Sequence, residues 1–225
     1  VVDGAGLAFA CEACRAAGTV ILDTEFERTD TFFPRVALVQ LATRDAVWLV
    51  DPLVLDDPAP LRTLLEDAAV EKVLHACSED VEVFAHWLGA RPVNLFDTQL
   101  GAAFLGERFG IGYGALVQAE LGVAVDKHET RSDWLRRPLR AAQRRYACLD
   151  VIHLGEIHAR MRPRLELVGR LGWVLEETRA IVAEVLGRAD AVADWRGLKG
   201  AASLAPRSLA AASRLAAWRE RTARS

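Results

Sequence analysis

The sequence has few cysteines and no long apolar run. It contains 4 cysteines in 225 residues, and no stretch has the pattern of a secretion signal, so we expect reduced thiols rather than disulfides. Apolar segments such as 20–22 and 36–41 end long before the roughly 20 residues that a membrane helix needs. The sequence therefore predicts a cytoplasmic protein that does not enter a membrane.

Basic residues are scarce in the first part of the chain. Residues 1–130 contain 9 Lys and Arg against 21 Asp and Glu, whereas residues 131–164 contain nine arginines against three acidic residues. This asymmetry suits a protein that concentrates divalent cations in one place and holds a polyanion in another. The alternative is that the arginines are only the solvated faces of helices.

The length and a hydrophobic content of 52% suit one main domain with a small extra module. Three short segments rich in β-branched and apolar residues, 20–26, 35–43 and 46–51, predict an antiparallel meander. Further strands are predicted at 71–75 and 93–96, alternating with helices. The pattern predicts an α/β fold, in which a mixed sheet is flanked by helices and followed by a short helical C-terminal extension.

Helical periodicity recurs between and after these strands. It predicts helices at 8–17, 59–68, 79–87, 98–105, 115–121, 139–161 and 206–221. Ser78 is predicted to cap the third helix and Asp97 the fourth. A break is expected near Gly155, and a loop at 190–205.

Two acidic residues alternate in the first predicted strand. Asp23 and Glu25 occupy positions whose side chains project from one face. Adjacent carboxylates repel each other and a divalent cation relieves the repulsion; oxygen ligands favour Mg²⁺ or Mn²⁺ over Zn²⁺. An Asp-x-Glu pair on an exposed strand can also lack any function.

Three further residues suit the same chemistry. Asp80 lies in the first turn of a predicted helix, where the helix dipole alone favours a negative side chain. Tyr146 and Asp150 are four residues apart in a helical segment, so the phenol and the carboxylate share one face. A helix-surface contact is the alternative for this pair.

The order of these residues resembles a known set of motifs. Asp23-x-Glu25, Asp80 and Tyr146-x-x-x-Asp150 resemble the three exonuclease motifs of the DEDD superfamily, and the tyrosine marks its DEDDy branch. Further stretches resemble the bacterial ribonuclease D family: Leu22-Asp-Thr-Glu-Phe26, Leu38-Val-Gln-Leu41, Asp51-Pro52, Ser78 to Phe84, Asp97-Thr-Gln99, Asp126-Lys127, Asp133-Trp134-Leu135 and Arg137-Pro138-Leu139. The resemblance runs from about residue 7 to 165, and more weakly beyond.

The resemblance implies a ribonuclease H-like fold and removal of single nucleotides from RNA 3′ ends, such as those of tRNA precursors, with release of nucleoside 5′-monophosphates. Asp23, Glu25, Asp80 and Asp150 would hold two Mg²⁺ or Mn²⁺ ions. Tyr146 would orient the attacking water. RNA 3′ ends are the implied partners, and a monomer is the expected state.

Candidate substrate contacts are aromatic, amide and imidazole side chains, which can stack on or hydrogen-bond to unpaired bases. They are Phe26, Gln40, His75 and Trp134. Core packing or ordinary hydrogen bonding is the alternative for each. Four arginines ahead of the tyrosine motif are candidates for phosphate contacts: Arg131, Arg136, Arg137 and Arg140.

Two other motifs are given structural interpretations. Cys11-x-x-Cys14 lacks a second ligand pair, so helix packing explains it better than zinc. Gly110-x-Gly112-x-Gly114 lacks the context of a dinucleotide site and is interpreted as a flexible loop. Asp97 is interpreted as a helix cap, with a supporting role near the metals as the alternative.

The expected organisation is an exonuclease domain at 1–165, followed at 166–225 by a helical linker and the truncated start of an HRDC-like domain. Only the opening of such a module is resembled, from Trp195 to Arg224. Two other functions remain open. One is a DNA-directed 3′→5′ exonuclease with the same site, and the other is a catalytically silent nucleic-acid-binding module.

Overall fold

In the computed structural model, which describes residues 1–29, 31–125, 128–130, 132–190 and 199–224, five strands form one mixed sheet in the order β3-β2-β1-β4-β5. The strands are β1 (Thr19–Glu27), β2 (Arg35–Ala42), β3 (Val47–Val50), β4 (Glu71–Leu74) and β5 (Leu95–Asp97). The first three pair antiparallel, which confirms the predicted meander, and β4 and β5 continue the sheet in parallel.

Eight helices are described along the chain. They are α1 (Gly4–Ala17), α2 (Ala59–Glu66), α3 (Ser78–Leu88), α4 (Thr98–Phe104), α5 (Tyr113–Leu121), α6 (Ala141–Leu167), α7 (Leu171–Asp190) and α8 (Pro206–Arg224), with a short 3₁₀ turn at Ala201–Ser203. None of the helices in these described ranges is both long and apolar enough to cross a bilayer.

Apolar clusters lie on both faces of the sheet, because alternate residues of a strand point to opposite sides. Val20 and Leu22 of β1 join one cluster with residues of α1, α2, α3 and α7. Ile21, between them, joins the other cluster with residues of α4, α5 and α6. Helices therefore cover both faces, as the predicted α/β class requires, and β1 lies between two layers.

Helix α6 is longer than predicted and does not break at Gly155. A Cβ atom built at Gly155 would lie 3.3 Å from Cγ1 of Ile21 on β1. The glycine therefore lets the helix approach the central strand closely, and its role is packing rather than termination.

The N-cap prediction for Ser78 is wrong, because Ser78 is the first residue of α3 and Cys77 precedes it without a side-chain cap. The loop ahead of α3 is held instead by Asp97, whose carboxylate accepts hydrogen bonds from the backbone N–H of Ala76 and Cys77 at 3.0 and 2.8 Å. Asp97 also accepts from the N–H of Gln99 and caps α4, as predicted.

The predicted interpretation of the cysteine motif is confirmed, since Cys11 and Cys14 are free thiols buried on the inner side of α1. Burial raises the pKa of Cys11 to about 11 and that of Cys14 to about 12, so both remain protonated. They act as small apolar groups in the core.

Residues beyond 165 contribute to the core of the expected exonuclease domain. Helix α6 runs through that position to Leu167, and α7 packs against α3, α4 and β5. Val182 and Val185 of α7 are buried in the cluster that contains Val20 of β1. The expected HRDC-like start stays a prediction, and its first residue, Trp195, lies outside the described residues, as do Asp126 and Lys127.

The segment ahead of α6 is fixed by Arg137. Its guanidinium donates to both carboxylate oxygens of Asp51, at 2.5 and 2.7 Å, and to the carbonyls of Ala37, Trp134 and Arg136. These contacts use all five N–H groups of the side chain. The prediction that Arg137 contacts phosphate is therefore wrong, because the guanidinium has no donor left.

We expect Arg137→Met to lower the free energy of unfolding by about 3 kcal/mol, because it leaves a largely buried carboxylate without its partner. The matched control is Arg188→Met, which removes an exposed pair with Glu184 and should cost less than about 1 kcal/mol. Urea unfolding of both variants measures the difference. Equal small losses would contradict this role for Arg137.

Candidate active site

Three carboxylates from two elements meet beside the central strand. Asp23 and Glu25 project from one face of β1, and α6 brings Asp150 against them. One ligand oxygen from each of the three lies within 4.8 Å of the others. The two strand carboxylates share a face, as predicted, and Asp150, which lies 125 residues after Glu25 in the sequence, joins them.

The fourth carboxylate, Asp80, lies beside this group rather than in it. The hydroxyl of Thr24, the residue between Asp23 and Glu25, donates to Oδ1 of Asp80 at 2.5 Å. Burial and the charge of Asp23 raise the pKa of Asp80 well above its ordinary value. Asp80 therefore shares the electrostatic environment of the cluster and is fixed to the same strand.

The cluster is electrostatically unfavourable without a cation. Burial, together with the charge of Asp150, raises the pKa of Asp23 to about 8. Burial and the charges of the other carboxylates raise the pKa of Glu25 to about 10, and burial raises that of Asp150 to about 7. The carboxylates therefore retain protons near neutral pH unless positive charge is supplied.

Two polar atoms at the cluster lack hydrogen-bond partners among the described residues. They are Oδ1 of Asp150 and Oε1 of Gln40, and both are buried. A buried carboxylate oxygen without a donor is costly. The all-oxygen donor set and this unpaired oxygen fit a hard divalent cation such as Mg²⁺ or Mn²⁺.

Gln40 supports Asp23 from the neighbouring strand. The register of β1 and β2 places the two residues opposite each other, and Nε2 of Gln40 lies 3.4 Å from Oδ2 of Asp23. The side chain is fully buried. It therefore contacts the acidic cluster, and its contact with the substrate stays a prediction.

Tyr146 lies one turn before Asp150 on α6. Burial raises the pKa of the Asp150 carboxyl, and the nearby Tyr146 hydroxyl partly offsets that shift. The hydroxyl lies 3.4 Å from Oγ1 of Thr130. Burial and the charge of Asp150 raise the pKa of Tyr146 above its ordinary range, so the phenol keeps its proton. Its ring packs against Trp134, with centroids 6.0 Å apart.

Sequence reasoning missed Tyr113. Its hydroxyl donates to the backbone carbonyl of Asp150 at 2.6 Å, and its ring meets His75 edge-on. The interaction fixes the turn of α6 that carries the carboxylate. The signal available in the sequence was weak, because a tyrosine after Gly112 marks no motif.

The other predicted substrate contacts lie in different settings. Phe26 and Trp134 line an acidic groove of about 400 Å³ that also contains Glu25, although Trp134 is only 5% exposed and packs mainly in the core. Both ring nitrogens of His75 are engaged, with Thr98 and the carbonyl of Ile111. Substrate contact by Phe26, His75 and Trp134 stays a prediction.

Among the arginine candidates, Arg131 lies outside the described residues. The guanidinium of Arg140 is paired, because it donates to the carboxylate of Glu129. The side chain of Arg136 is exposed. Contact of these three arginines with phosphate stays a prediction.

A family model described as 3′-5′ exonuclease matches residues 1–166, which include all four carboxylates and the tyrosine. The chain belongs to this 3′-5′ exonuclease family. The family predicted from the motifs is thereby confirmed.

Proteins named ribonuclease D are similar to this exonuclease-family chain over nearly its whole length. That of Pseudomonas paraeruginosa is 46% identical over 222 residues, covering 99% of the chain and 59% of the relative. That of Escherichia coli is 42% identical over 221 residues, covering 97% and 58%. The chain therefore spans about three fifths of the length of these relatives.

The fold of this family member also matches a solved relative. The crystal structure of Escherichia coli RNase D, described as an exoribonuclease involved in structured RNA processing, has a TM-score of 0.94 and 40% identity, covering 100% of this chain and 60% of that chain. The predicted fold class is confirmed by this match and by the sheet order.

We expect the stability of this family member in EDTA to fall as the pH rises from 5 to 9. The carboxyls of Asp23, Glu25 and Asp150 have pKa values of about 7 to 10 when folded but near 4 when unfolded. Their stabilising contribution is therefore complete below about pH 4 and is lost as the pH rises through the folded values. The thermal midpoint should fall by about 5 °C or more.

Glu25→Gln is the matched control, since the amide cannot ionise and should flatten this pH dependence. Addition of Mn²⁺ at pH 8 should raise the midpoint of the unmodified protein. A midpoint in EDTA that rises with pH, to the same extent in both proteins, would show that the cluster does not have raised pKa values.

Proposed function

We propose that this chain is a 3′→5′ exoribonuclease that removes single nucleotides from RNA 3′ ends by two-metal-ion hydrolysis and releases nucleoside 5′-monophosphates. The observation that carries the proposal is the convergence of Asp23, Glu25 and Asp150, with one carboxylate oxygen unpaired. Membership of the 3′-5′ exonuclease family supports the polarity. The names of the similar ribonuclease D proteins support RNA as the polymer.

The proposed cofactors are two divalent cations, Mg²⁺ or Mn²⁺, held by Asp23, Glu25, Asp80 and Asp150. When bound, such ions neutralise phosphate charge and make water nucleophilic at neutral pH. The protein contributes rigid placement: β1 fixes two carboxylates, and Thr24 fixes Asp80 to the same strand. Binding of cations would also displace the protons that the raised pKa values indicate.

Tyr146 is proposed to orient the attacking water. Its phenol remains protonated because burial and Asp150 raise its pKa, so it acts as a hydrogen-bonding group and not as a base. Packing against Trp134 fixes the ring, and Tyr113 fixes the adjacent turn of the helix. The tyrosine therefore contributes positioning, which is a major requirement of phosphodiester cleavage.

The finer assignments rest on the same proposal. Processing of tRNA or other small RNAs, a cytoplasmic location and action as a monomer are proposed. All five side chains of the site come from one chain, so a second copy is not needed to complete it.

We expect Mn²⁺- or Mg²⁺-dependent release of nucleoside 5′-monophosphates from a 3′-extended RNA, abolished by EDTA. Asp150→Asn should lower kcat by at least about 10³-fold, since it removes a proposed cation ligand while keeping the shape of the side chain. Chromatography of the products measures the direction in which the RNA is shortened and the length of the products that are released. The control is Asp56→Asn, an exposed carboxylate that lies outside both the cluster and the acidic groove.

Three outcomes would refute parts of the proposal. Internal fragments would exclude an exonuclease. Faster loss of a matched DNA oligomer than of the RNA would favour the DNA-directed alternative. If the unmodified protein were no more active than Asp150→Asn, the chain would be a silent binding module.

We expect Tyr146→Phe to lower kcat by about 10²-fold with little change in KM, because water orientation is lost while the carboxylates remain. Trp134→Phe, which keeps an aromatic partner for the ring, should have a smaller effect. Steady-state kinetics on one oligonucleotide separates the two parameters. A change confined to KM would assign Tyr146 to substrate binding instead.

A further inference from the structure

A second groove is lined by Tyr146 and Asp150 and shares no lining residue with the acidic groove. This α6 groove has a volume of about 730 Å³. Its polar lining residues are Glu129, Arg145, Tyr146, Asp150 and His153, and its apolar lining includes residues 123–125 and Leu149. The groove thus follows the first half of α6 and includes a proposed cation ligand, Asp150.

Arg145 is uncommitted, unlike most arginines of this region. Six others donate to carboxylates or backbone carbonyls: Arg137, Arg140, Arg144, Arg160, Arg162 and Arg164. Arg145 has no hydrogen-bond or ion-pair partner among the described residues, and it is exposed. A free guanidinium in a groove that Asp150 also lines is suited to an anionic group.

His153 lies two turns from Arg145 and three residues after Asp150. Nδ1 of His153 is buried and has no partner within the described part of the chain. Leu149 lies between Arg145 and His153 on the same face of α6, because these residues are spaced by four. Along this face of α6, a guanidinium, an apolar side chain and an imidazole therefore follow one another.

The acidic groove has the opposite character. It is lined by Glu25, Glu27 and Asp133, and its arginine, Arg28, is ion-paired with Glu82. Carboxylates without a free cation repel phosphate. Of the two grooves, only the α6 groove offers an uncommitted positive charge among the residues described.

We propose that the α6 groove binds a second phosphate of the RNA, through Arg145 with His153 as an additional hydrogen-bonding group. The inference rests on the proposed function. A terminal nucleotide with a free 3′-hydroxyl brings a single phosphate, which is the one cleaved. Any further phosphate belongs to a nucleotide on the 5′ side, so the groove receives the upstream chain.

The test is a comparison of substrates of increasing length. A dinucleoside monophosphate has only the cleaved phosphate, whereas a trinucleotide or hexanucleotide supplies upstream phosphates. Arg145→Ala should raise KM for the longer substrates by about fivefold, which is the upper range for an exposed ion pair. The variant should leave kcat unchanged, and it should leave KM for the dinucleotide unchanged. His153→Ala should show the same dependence on length, and Arg145→Lys should restore part of the loss.

The matched control is Arg144→Ala, which removes the same charge from the neighbouring position, outside the groove. For the hexanucleotide, the slope of log KM against log salt should decrease by about 0.7 in Arg145→Ala and less in Arg144→Ala. Equal effects of the two variants would indicate a general charge effect and overturn the proposal. The proposal would also be overturned if Arg145→Ala changed KM equally for substrates of all lengths, or changed it for none of them.

Binding separates this inference from the proposed function. Fluorescence anisotropy of a labelled hexanucleotide in EDTA measures affinity without hydrolysis. If the unmodified protein cleaves nothing, the proposed function fails, yet weaker binding by Arg145→Ala than by Arg144→Ala would still support the groove. Identical binding by both variants would refute it.

Discussion

The repulsion among buried carboxylates is the constraint on which the rest of the structure depends. Asp23, Glu25 and Asp150 lie within 4.8 Å of one another at their ligand oxygens, and burial raises the pKa of each. The fold must hold them together against that repulsion. It does so by placing β1 between two apolar clusters, so that moving the strand would expose both.

Helix α6 carries the second half of this constraint, and several unrelated contacts hold it in place. Gly155 allows close approach to β1, and Tyr113 binds the carbonyl of Asp150. Ahead of the helix, Arg137 joins its leading segment to Asp51 at the end of β3. A helix fixed at three points can present Tyr146 and Asp150 to the strand without support from the acidic side chains themselves.

Much of this architecture followed from sequence patterns, and the failures have physical causes. Alternation along β1 predicted that Asp23 and Glu25 share a face, and helical spacing predicted the pair on α6. Their meeting rested on resemblance, since one sequence does not reveal packing between distant elements. For the same reason the register that sets Gln40 opposite Asp23 was not predicted. The expected break at Gly155 was wrong because local propensity took no account of the approach to Ile21.

The most direct measurement is anomalous diffraction from crystals of the protein grown with Mn²⁺. The account predicts manganese within coordination distance of carboxylate oxygens of Asp23, Glu25 and Asp150, with Oδ1 of Asp150 no longer unpaired. Saturating Mn²⁺ with no anomalous density at these side chains, or density only elsewhere, would contradict the claim that the cluster exists to hold cations.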